Sequence, residues 1–159
     1  MGHDKRAGLR TQTLNGFLLT RSWRDGPSGI ELEYWFATDS GPLCVSIHDQ
    51  QSVFFLAEGE YRRARGLLDD QKDVTIAPLQ LRDFQLRQIV GVYCRSYRLA
   101  RQLADQVQAA GCNPLEADIN PADRFLMERF IAGGAQIEGE ITQRGGAQRA
   151  VNPALRRAD

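Results

Sequence analysis

Residues 116–130 read EADINPADRFLMERF, and the short segment IEGEI follows at residues 137–141. Asn120 before Pro121 combines a helix N-cap with proline at the first helical position, where the missing N–H costs nothing. A helix is therefore predicted from Pro121 to about residue 130, ending before the Gly133-Gly134 pair. Its apolar spacing predicts a buried face made of Phe125, Leu126 and Phe130.

The residues upstream of position 116 predict a strand and a helix that precede the segment described above. Residues 89–95 (IVGVYCR) are typical of a strand. Ser96 is placed to cap a helix over 97–110, and Gly111 favours a left-handed turn at its end. Together with short strands at 114–117 and 137–141, the order is strand–helix–strand–helix–strand, which predicts a ferredoxin-like element.

The first half of the chain predicts an antiparallel meander. Residues 30–38 alternate apolar and polar side chains with period two, which is typical of a strand. Turn residues at 24–29 and 39–42 separate this strand from its neighbours at 13–23 and 43–47. Further elements are predicted at 52–56 (strand), 57–68 (helix) and 74–76 (short extended segment). The predicted fold class is α+β.

The pattern also predicts a domain organisation. One domain is expected over residues 13–142, with subdomains of about 13–76 and 77–142. Residues 1–12 are polar and basic, and we expect a disordered tail. Residues 143–159 are rich in Gly, Gln, Arg and Ala without periodicity, and we interpret them as a linker.

Composition excludes several classes of protein. The 20 basic and 20 acidic residues cancel, so binding to nucleic acid would need a local basic patch. The three cysteines, Cys44, Cys94 and Cys112, form no C-x-x-C pattern and indicate reduced thiols. No apolar run approaches the roughly 18 residues of a membrane span, and no signal core is present. We expect a cytoplasmic protein without a membrane partner.

The sequence contains no recognisable catalytic or metal-binding pattern. Cys44 and His48 lie about 13 Å apart on an extended strand, too far for a nucleophile and its base. The acid pairs within residues 116–118 and 138–140 are typical of solvated strand ends and offer a divalent cation too few ligands. We therefore expect no catalytic residue, no metal site and no cofactor.

One stretch interleaves aromatic and basic side chains: Tyr93, Arg95, Tyr97, Arg98 and Arg101. Sites for single-stranded DNA use aromatic faces to stack bases and arginine to hold phosphates. These five residues are the candidate nucleic-acid-binding site. In the structural alternative, the tyrosines belong to the core and the arginines to a solvated helix face. A second basic cluster at residues 62–65 has the same two interpretations.

Five segments occur in an order that resembles the N-terminal domain of the family B DNA polymerases, bacterial members above all. They are NGFLLTRSWRDGPSG (15–29), ELEYWFATDSGPLCVSI (31–47), QQSVFFLAE (50–58), LRDFQLRQIVGVYCRSYR (81–98) and EADINPADRFLMERFI (116–131) with IEGEI (137–141). The resemblance extends over about residues 14–141. It implies a scaffold that contacts the template strand of DNA beside a proofreading exonuclease domain.

The catalytic motifs of that family do not occur in residues 1–159. Family members continue into a strand with an Asp-x-Glu exonuclease motif and, far later, a polymerase motif with paired aspartates. Such carboxylates hold the metal ions of phosphoryl transfer. The resemblance implies that this polypeptide is an inactive part of a longer DNA-directed DNA polymerase that uses magnesium. Its partners would be template DNA and the exonuclease and polymerase domains of the same chain.

Archaeal members of the family carry a pocket for template uracil in this domain. By resemblance, the pocket walls fall near Phe17, Trp23 and residues 88–92. Gln88 stands where archaeal members commonly have proline, which argues against uracil recognition, because a flipped base needs a closely matched pocket.

Two other functions fit the same sequence. One is a stand-alone ferredoxin-like module for protein interaction, in which Trp23 and Trp35 mark the interface. The other is an independent module that binds single-stranded nucleic acid, such as RNA. An Asp-x-Glu strand encoded soon after residue 159 would separate the polymerase interpretation from both.

Overall fold

Ten strands and three helices make up residues 10–83 and 85–158, the part of the chain that this computed structural model describes. The strands are β1 Thr11–Gly26, β2 Gly29–Thr38, β3 Gly41–Gln50, β4 Ser52–Ala57, β5 Val74–Arg82, β6 Gln88–Cys94, β7 Gly134–Glu140, β8 Thr142–Arg144, β9 Ala147–Val151 and β10 Ala154–Arg157. The helices are α1 Glu58–Leu68, α2 Tyr97–Ala109 and α3 Pro121–Glu128. The predicted α+β class is confirmed.

The described residues divide into two compact units. The first contains residues 10–24, 31–49 and 122–158, and the second contains 25–30 and 50–121. The chain therefore enters the second unit briefly at residues 25–30, enters it again at the end of β3, and returns to the first unit at α3. A division near residue 76 would cut β5, which belongs to one sheet with β4 and β6. The boundary is corrected accordingly.

The first unit is built on a seven-stranded sheet in the order β10-β7-β1-β2-β3-β9-β8. The consecutive neighbours β1, β2 and β3 are the predicted antiparallel meander, which is confirmed. β7 pairs antiparallel with β1 from Thr11↔Glu140 to Phe17↔Gly134. Thr11 and Gln12 therefore belong to a strand and not to the predicted tail, while residues 1–9 lie outside the described part.

Residues 142–157, predicted to be mostly linker, form three strands of this sheet. β9 pairs parallel with β3, and β10 pairs antiparallel with β7. Ala150 and Leu155 are buried. Gln148 is buried as well, and its side-chain amide donates to Thr38 Oγ1 at 3.1 Å. The linker prediction is corrected, because pairing with other strands stabilises this segment without an apolar pattern of its own.

Helix α3 packs on the β2 side chains that the alternation predicted to be buried. Tyr34 is fully buried, and its ring stacks on Phe125 with the centroids 5.9 Å apart. The Tyr34 hydroxyl donates to the Ala122 carbonyl oxygen at 2.7 Å, and burial raises the pKa of this hydroxyl. Phe125 and Leu126 are buried, as predicted.

The prediction that Phe130 is buried at the end of α3 is wrong. Its side chain is 75% exposed, because the helix ends at Glu128 and Phe130 adopts a left-handed conformation with φ of 57°. This turn brings Ile131 into the buried position instead, at 6% exposure. The buried face of α3 is thus continued by Ile131 and not by Phe130.

The second unit combines a three-stranded antiparallel sheet, in the order β4-β6-β5, with α1 and α2. Its core joins one face of the sheet to the apolar sides of both helices. The members of this core are Phe54, Leu56, Ala64, Leu68, Val92, Cys94, Ala100, Leu103, Ala104, Val107 and Cys112. At the β4 edge, Phe55 and Leu115 exchange backbone hydrogen bonds of 3.0 and 2.7 Å.

The predicted strand–helix–strand–helix–strand order is present, but its strands do not share one sheet. β6 belongs to the three-stranded sheet, the segment at Leu115 is a single bridge to Phe55, and β7 belongs to the seven-stranded sheet. The ferredoxin-like prediction is therefore correct for the order of the elements along the chain. It is wrong for their pairing, because the strands do not form a single sheet. Sequence periodicity predicts which segments are strands, whereas their pairing depends on contacts distant in sequence.

Candidate nucleic-acid interface

The five predicted residues lie at the junction of β6 and α2, in the second unit. Tyr93 is half-buried on β6, and its ring lies so close to Gly91 that a Cβ there would approach Tyr93 Cε2 to 2.7 Å. Val92 and Cys94 face the core beneath the helices. Side chains alternate along a strand, so Tyr93 points to the opposite face of the sheet from α2.

Arg95 is exposed and is held by groups of its own chain. Its guanidinium pairs with Asp73 at 3.2 Å and donates to the Pro27 carbonyl oxygen at 2.6 Å. Its backbone N–H donates to the Asp73 carbonyl oxygen at 3.0 Å. These contacts tie Arg95 to the segment before β5 and to the turn between β1 and β2. A phosphate would have to compete with both.

The N-terminus of α2 is capped twice. Ser96 is the predicted N-cap, and its Oγ accepts a hydrogen bond from the Leu99 N–H at 3.0 Å. The carboxylate of Asp25 accepts from the N–H groups of Tyr97 and Arg98 at 2.8 and 3.2 Å. A carboxylate at this end of a helix is stabilised by the helix dipole. The backbone donors that bind phosphate at other helix N-termini are therefore occupied here.

The arginine side chains of α2 remain on the surface. Arg98 and Arg101 are exposed and lie three residues apart, so they project from one side of the helix. Arg101 donates through Nη1 to the Ala117 carbonyl oxygen at 3.2 Å. Tyr97 is half-buried beside them. The structure thus brings Tyr97, Arg98 and Arg101 together and separates Tyr93 from them.

Asp25 and Asp73 are the site residues that the sequence did not indicate. Asp25 belongs to a turn-rich segment 72 residues before Tyr97. Ser96 could be identified because an N-cap is adjacent to its helix, whereas Asp25 reaches α2 only through the fold. The residue type alone, an aspartate in a turn, was the one available signal.

The second basic cluster is paired with acids of its own surroundings. Arg62 pairs with Glu58 at 2.8 Å, and Arg63 pairs with Glu60 at 3.6 Å. Arg65 lies 3.1 Å from Asp69, which also accepts from the Tyr61 hydroxyl at 2.7 Å. These exposed pairs follow the spacing of neighbours along one helix and contribute little to stability.

The environment of Cys44 in the first unit does not activate its thiol. The Cys44 thiol donates to Glu33 Oε1 at 3.2 Å. Burial, together with this hydrogen bond, raises the pKa of Cys44 to about 11, so the thiol stays protonated at neutral pH. His48 lies near a different acid, with Nδ1 at 3.6 Å from Glu31 Oε1. Cys44 and His48 thus contact different acids.

Phe17 and Trp23, placed by resemblance near the uracil pocket, lie on β1 with 63% and 38% of their surfaces exposed. Gln88 begins β6 in the second unit. Trp35 is half-buried, with the Arg149 guanidinium carbon 5.9 Å from its ring centre. Within the described ranges, no three His, Cys, Asp or Glu side chains come together as a metal site. In the same ranges, no helix has the length and apolar character needed to cross a membrane.

Comparisons with known proteins follow the division of the chain into units. The family of DNA polymerase II N-terminal domains matches residues 16–51, and the family of DNA polymerase II insertion domains matches residues 52–112. The change from one family to the other falls close to the end of β3, where the chain enters the second unit. The meander and the inserted unit are thus two separately identifiable segments.

Two individual proteins support this assignment. DNA polymerase II of Escherichia coli (strain K12) is 40% identical over 126 residues, which are 79% of this chain and 16% of that protein. A family B DNA polymerase from the hyperthermophilic archaeon Pyrobaculum calidifontis shares the fold, with a TM-score of 0.62 at 14% identity over 91% of this chain and 21% of that chain. The chain thus spans a small part of the length of its relatives. It belongs to the family B DNA polymerases as an N-terminal region, close to that of DNA polymerase II.

Proposed function

We propose that this chain is a non-catalytic region that contacts template DNA within a DNA polymerase II-like enzyme of replication and repair. The observation that carries the proposal is the exposed pair Arg98 and Arg101 on a helix fixed in place by Asp25. Guanidinium groups bind phosphates in bidentate geometry, and a capped helix holds them at a constant spacing. Because the helix N–H groups are occupied, the side chains would supply the contact.

The rest of the enzyme would supply specificity and chemistry. Phosphate contacts carry little base information, so template sequence would be read by base pairing elsewhere. The partners would be the template strand and the exonuclease and polymerase domains of the same longer polypeptide, with magnesium in their active sites. Such an enzyme would work in the cytoplasm, where the bacterial chromosome lies.

A titration of fluorescently labelled oligo(dT) tests this function. We expect weak binding that falls as salt rises, with a logarithmic slope of about −0.7 per phosphate neutralised. The double variant Arg98→Ala, Arg101→Ala should lower the affinity several-fold. The matched control Arg10→Ala, Arg144→Ala removes the same charge from exposed positions outside the site. Equal affinities for both double variants would contradict the proposal.

Catalytic silence is a second expectation. Incubation of the chain with primed DNA, nucleotides and magnesium or manganese should give neither extension nor degradation, because phosphoryl transfer needs clustered carboxylates. Activity that co-purifies with the chain and disappears when one of its own acids is replaced would overturn the assignment as non-catalytic.

A further inference from the structure

A groove runs along α1 in the second unit. It consists of two adjoining hollows of about 420 and 500 Å³, which share Glu58, Arg62 and Gln88. Tyr61, Arg62 and Arg65 of α1 form one wall, and Arg87 precedes β6 on the other side. The floor is apolar and consists of Ile76, Pro78 and Val90 from β5 and β6.

The groove exists because the helical layer stops short of the sheet edge. α1 and α2 cover the face of β4 and β6, whose apolar side chains form the core of this unit. β5 is the edge strand, and its register places Ile76 opposite Val92 and Pro78 opposite Val90. Ile76 and Pro78 therefore continue the covered face, yet Ile76 is only half-buried and Pro78 is exposed. A helix-sized segment beside α1 would complete the layer.

The rim of the groove is rich in guanidinium groups. Four arginines line the two hollows, Arg62, Arg63, Arg65 and Arg87, against two acids, Glu58 and Glu60. Each arginine pairs with one acid of its own chain. The pairs of Arg62 and Arg65 are exposed and contribute little free energy, whereas Arg87 pairs with the buried Asp83 carboxylate. Incoming carboxylates can therefore exchange at low cost with Glu58 and Asp69, the partners of Arg62 and Arg65.

We propose that the groove binds an acidic amphipathic segment of a partner protein. Its apolar side would pack on Ile76 and Pro78, above the buried Val90, and its carboxylates would face Arg62 and Arg65. An aliphatic floor suits leucine or valine side chains. A nucleic-acid strand is favoured less, because the Tyr61 ring packs on the core and its hydroxyl is held by Asp69 at 2.7 Å. The floor residues are aliphatic and offer no aromatic surface for base stacking.

The test uses a synthetic peptide of about 14 residues, with leucine on one helical side and glutamate on the other. Titration into isotope-labelled protein should move the amide resonances of residues 58–65, 76–78 and 88–90 in NMR spectra. The same peptide with lysine in place of glutamate should leave them in place. This outcome does not depend on the DNA contact proposed for α2, because Arg98 and Arg101 do not line the groove.

Matched variants make the test specific. Arg62→Glu, Arg65→Glu should weaken binding of the acidic peptide about tenfold or more, since two attractive contacts become repulsive. Arg10→Glu, Arg144→Glu makes the same change of charge elsewhere on the surface and should leave affinity within about twofold. The uncharged variant Pro78→Asn should weaken binding through the floor alone.

Three results would overturn the proposal. They are the absence of shifts in the groove, equal effects of the two charge-reversal variants, and displacement of the peptide by oligo(dT) with shifts of the same resonances. The last result would identify the groove as a nucleic-acid surface. Circular dichroism of each variant establishes that an effect on binding does not come from loss of folding.

Discussion

Helices α2 and α3 end with the same hydrogen bonds, but with different residues at the position that turns the chain. In α2, the Gly111 N–H donates to the Gln108 carbonyl oxygen at 3.0 Å, and the Cys112 N–H donates to that of Val107 at 2.9 Å. Gly111 has φ of 94°, in the region that glycine reaches without steric cost. This is the Schellman arrangement, and the buried Cys112 follows the turn.

In α3, the Phe130 N–H donates to the Met127 carbonyl oxygen at 3.0 Å, and the Ile131 N–H donates to that of Leu126 at 2.9 Å. Phenylalanine occupies the left-handed position, with φ of 57°. Ile131 and Leu126 are both buried, and a hydrophobic contact at these two positions commonly accompanies the motif. Burial of Ile131 offsets the strain at Phe130.

The difference shows which helix ends can be predicted from sequence. Glycine marks the end of α2 locally, so the end was placed correctly. The end of α3 depends on the burial of Ile131 in the core of the first unit. No residue type near the end of this helix indicates that burial. Substitutions at the two helix ends therefore distinguish the contribution of local backbone conformation to stability from the contribution of tertiary packing.

The largest effect is expected from Leu126→Ala. Leu126 is buried at 4% exposure, and removal of its side chain leaves a cavity that costs about 2–5 kcal/mol of unfolding free energy. The adjacent Met127 is exposed, so Met127→Ala should cost less than about 0.5 kcal/mol. Chemical denaturation of both variants measures the difference. Similar losses would show that α3 does not pack through the face described.

Gly111→Ala should have the next largest effect, a loss of about 1–2 kcal/mol. Space is not the reason, because a Cβ at Gly111 would meet nothing within 4 Å. The cost comes from the left-handed backbone alone. At the matching position of α3, Phe130→Ala keeps the same strain and removes an exposed ring, so we expect a change within about 0.5 kcal/mol. Equal losses at the two positions would refute the comparison.

Phe130→Gly should act in the opposite direction. Glycine relieves the left-handed strain at φ of 57°, and the gain is expected to be about 0.5–1 kcal/mol after the greater entropy of the unfolded chain is counted. The rise in thermal midpoint can be followed by circular dichroism. A loss of stability would mean that the Phe130 ring contributes packing that its exposure conceals.

The smallest effect near neutral pH concerns the two buried thiols whose pKa is raised, Cys44 in the first unit and Cys94 in the second. Burial, with the hydrogen bond to Glu33, raises the pKa of Cys44 to about 11, and burial raises that of Cys94 to about 12. Unfolded thiols ionise near pH 8.5. The contribution to stability is therefore fully present below about pH 8.5 and is lost as pH rises toward 11.

Unfolding free energies at pH 7.5 and pH 10 measure this loss. Cys44→Ala should reduce the dependence on pH in this range, because it removes one of the two thiols whose pKa is raised. An identical pH dependence in wild type and variant would show that Cys44 ionises alike in the folded and unfolded states.

Local signals predicted much of the fold and little of the contacts between distant segments. The alternation of β2, the cap at Ser96 and the turn at Gly111 all depend on neighbouring residues, and the structure contains them. Strand β9 was not predicted, because one of its buried residues is the polar Gln148. The side chain of Gln148 forms hydrogen bonds with residues that lie more than 100 positions earlier, around the turn between β2 and β3. A polar buried residue has no periodic apolar signature.

Some residues of the candidate site could likewise be predicted from local sequence, and others could not. Residues 97–101 were identified because basic and aromatic side chains are close in sequence. Asp25, which caps the start of α2, was not, because its contact with Tyr97 joins residues 72 positions apart in sequence. Tyr93 was grouped with its sequence neighbours, although strand alternation places it on another face of the sheet.

The most direct test of the central claim is an NMR titration of the isotope-labelled chain with oligo(dT) at low salt. If the α2 arginines contact the strand, the Nε–H resonances of Arg98 and Arg101 and the amides of residues 97–101 should move first and together. They should return when salt is raised, since phosphate contacts release counterions. Shifts that begin elsewhere and leave these resonances unchanged would contradict the account.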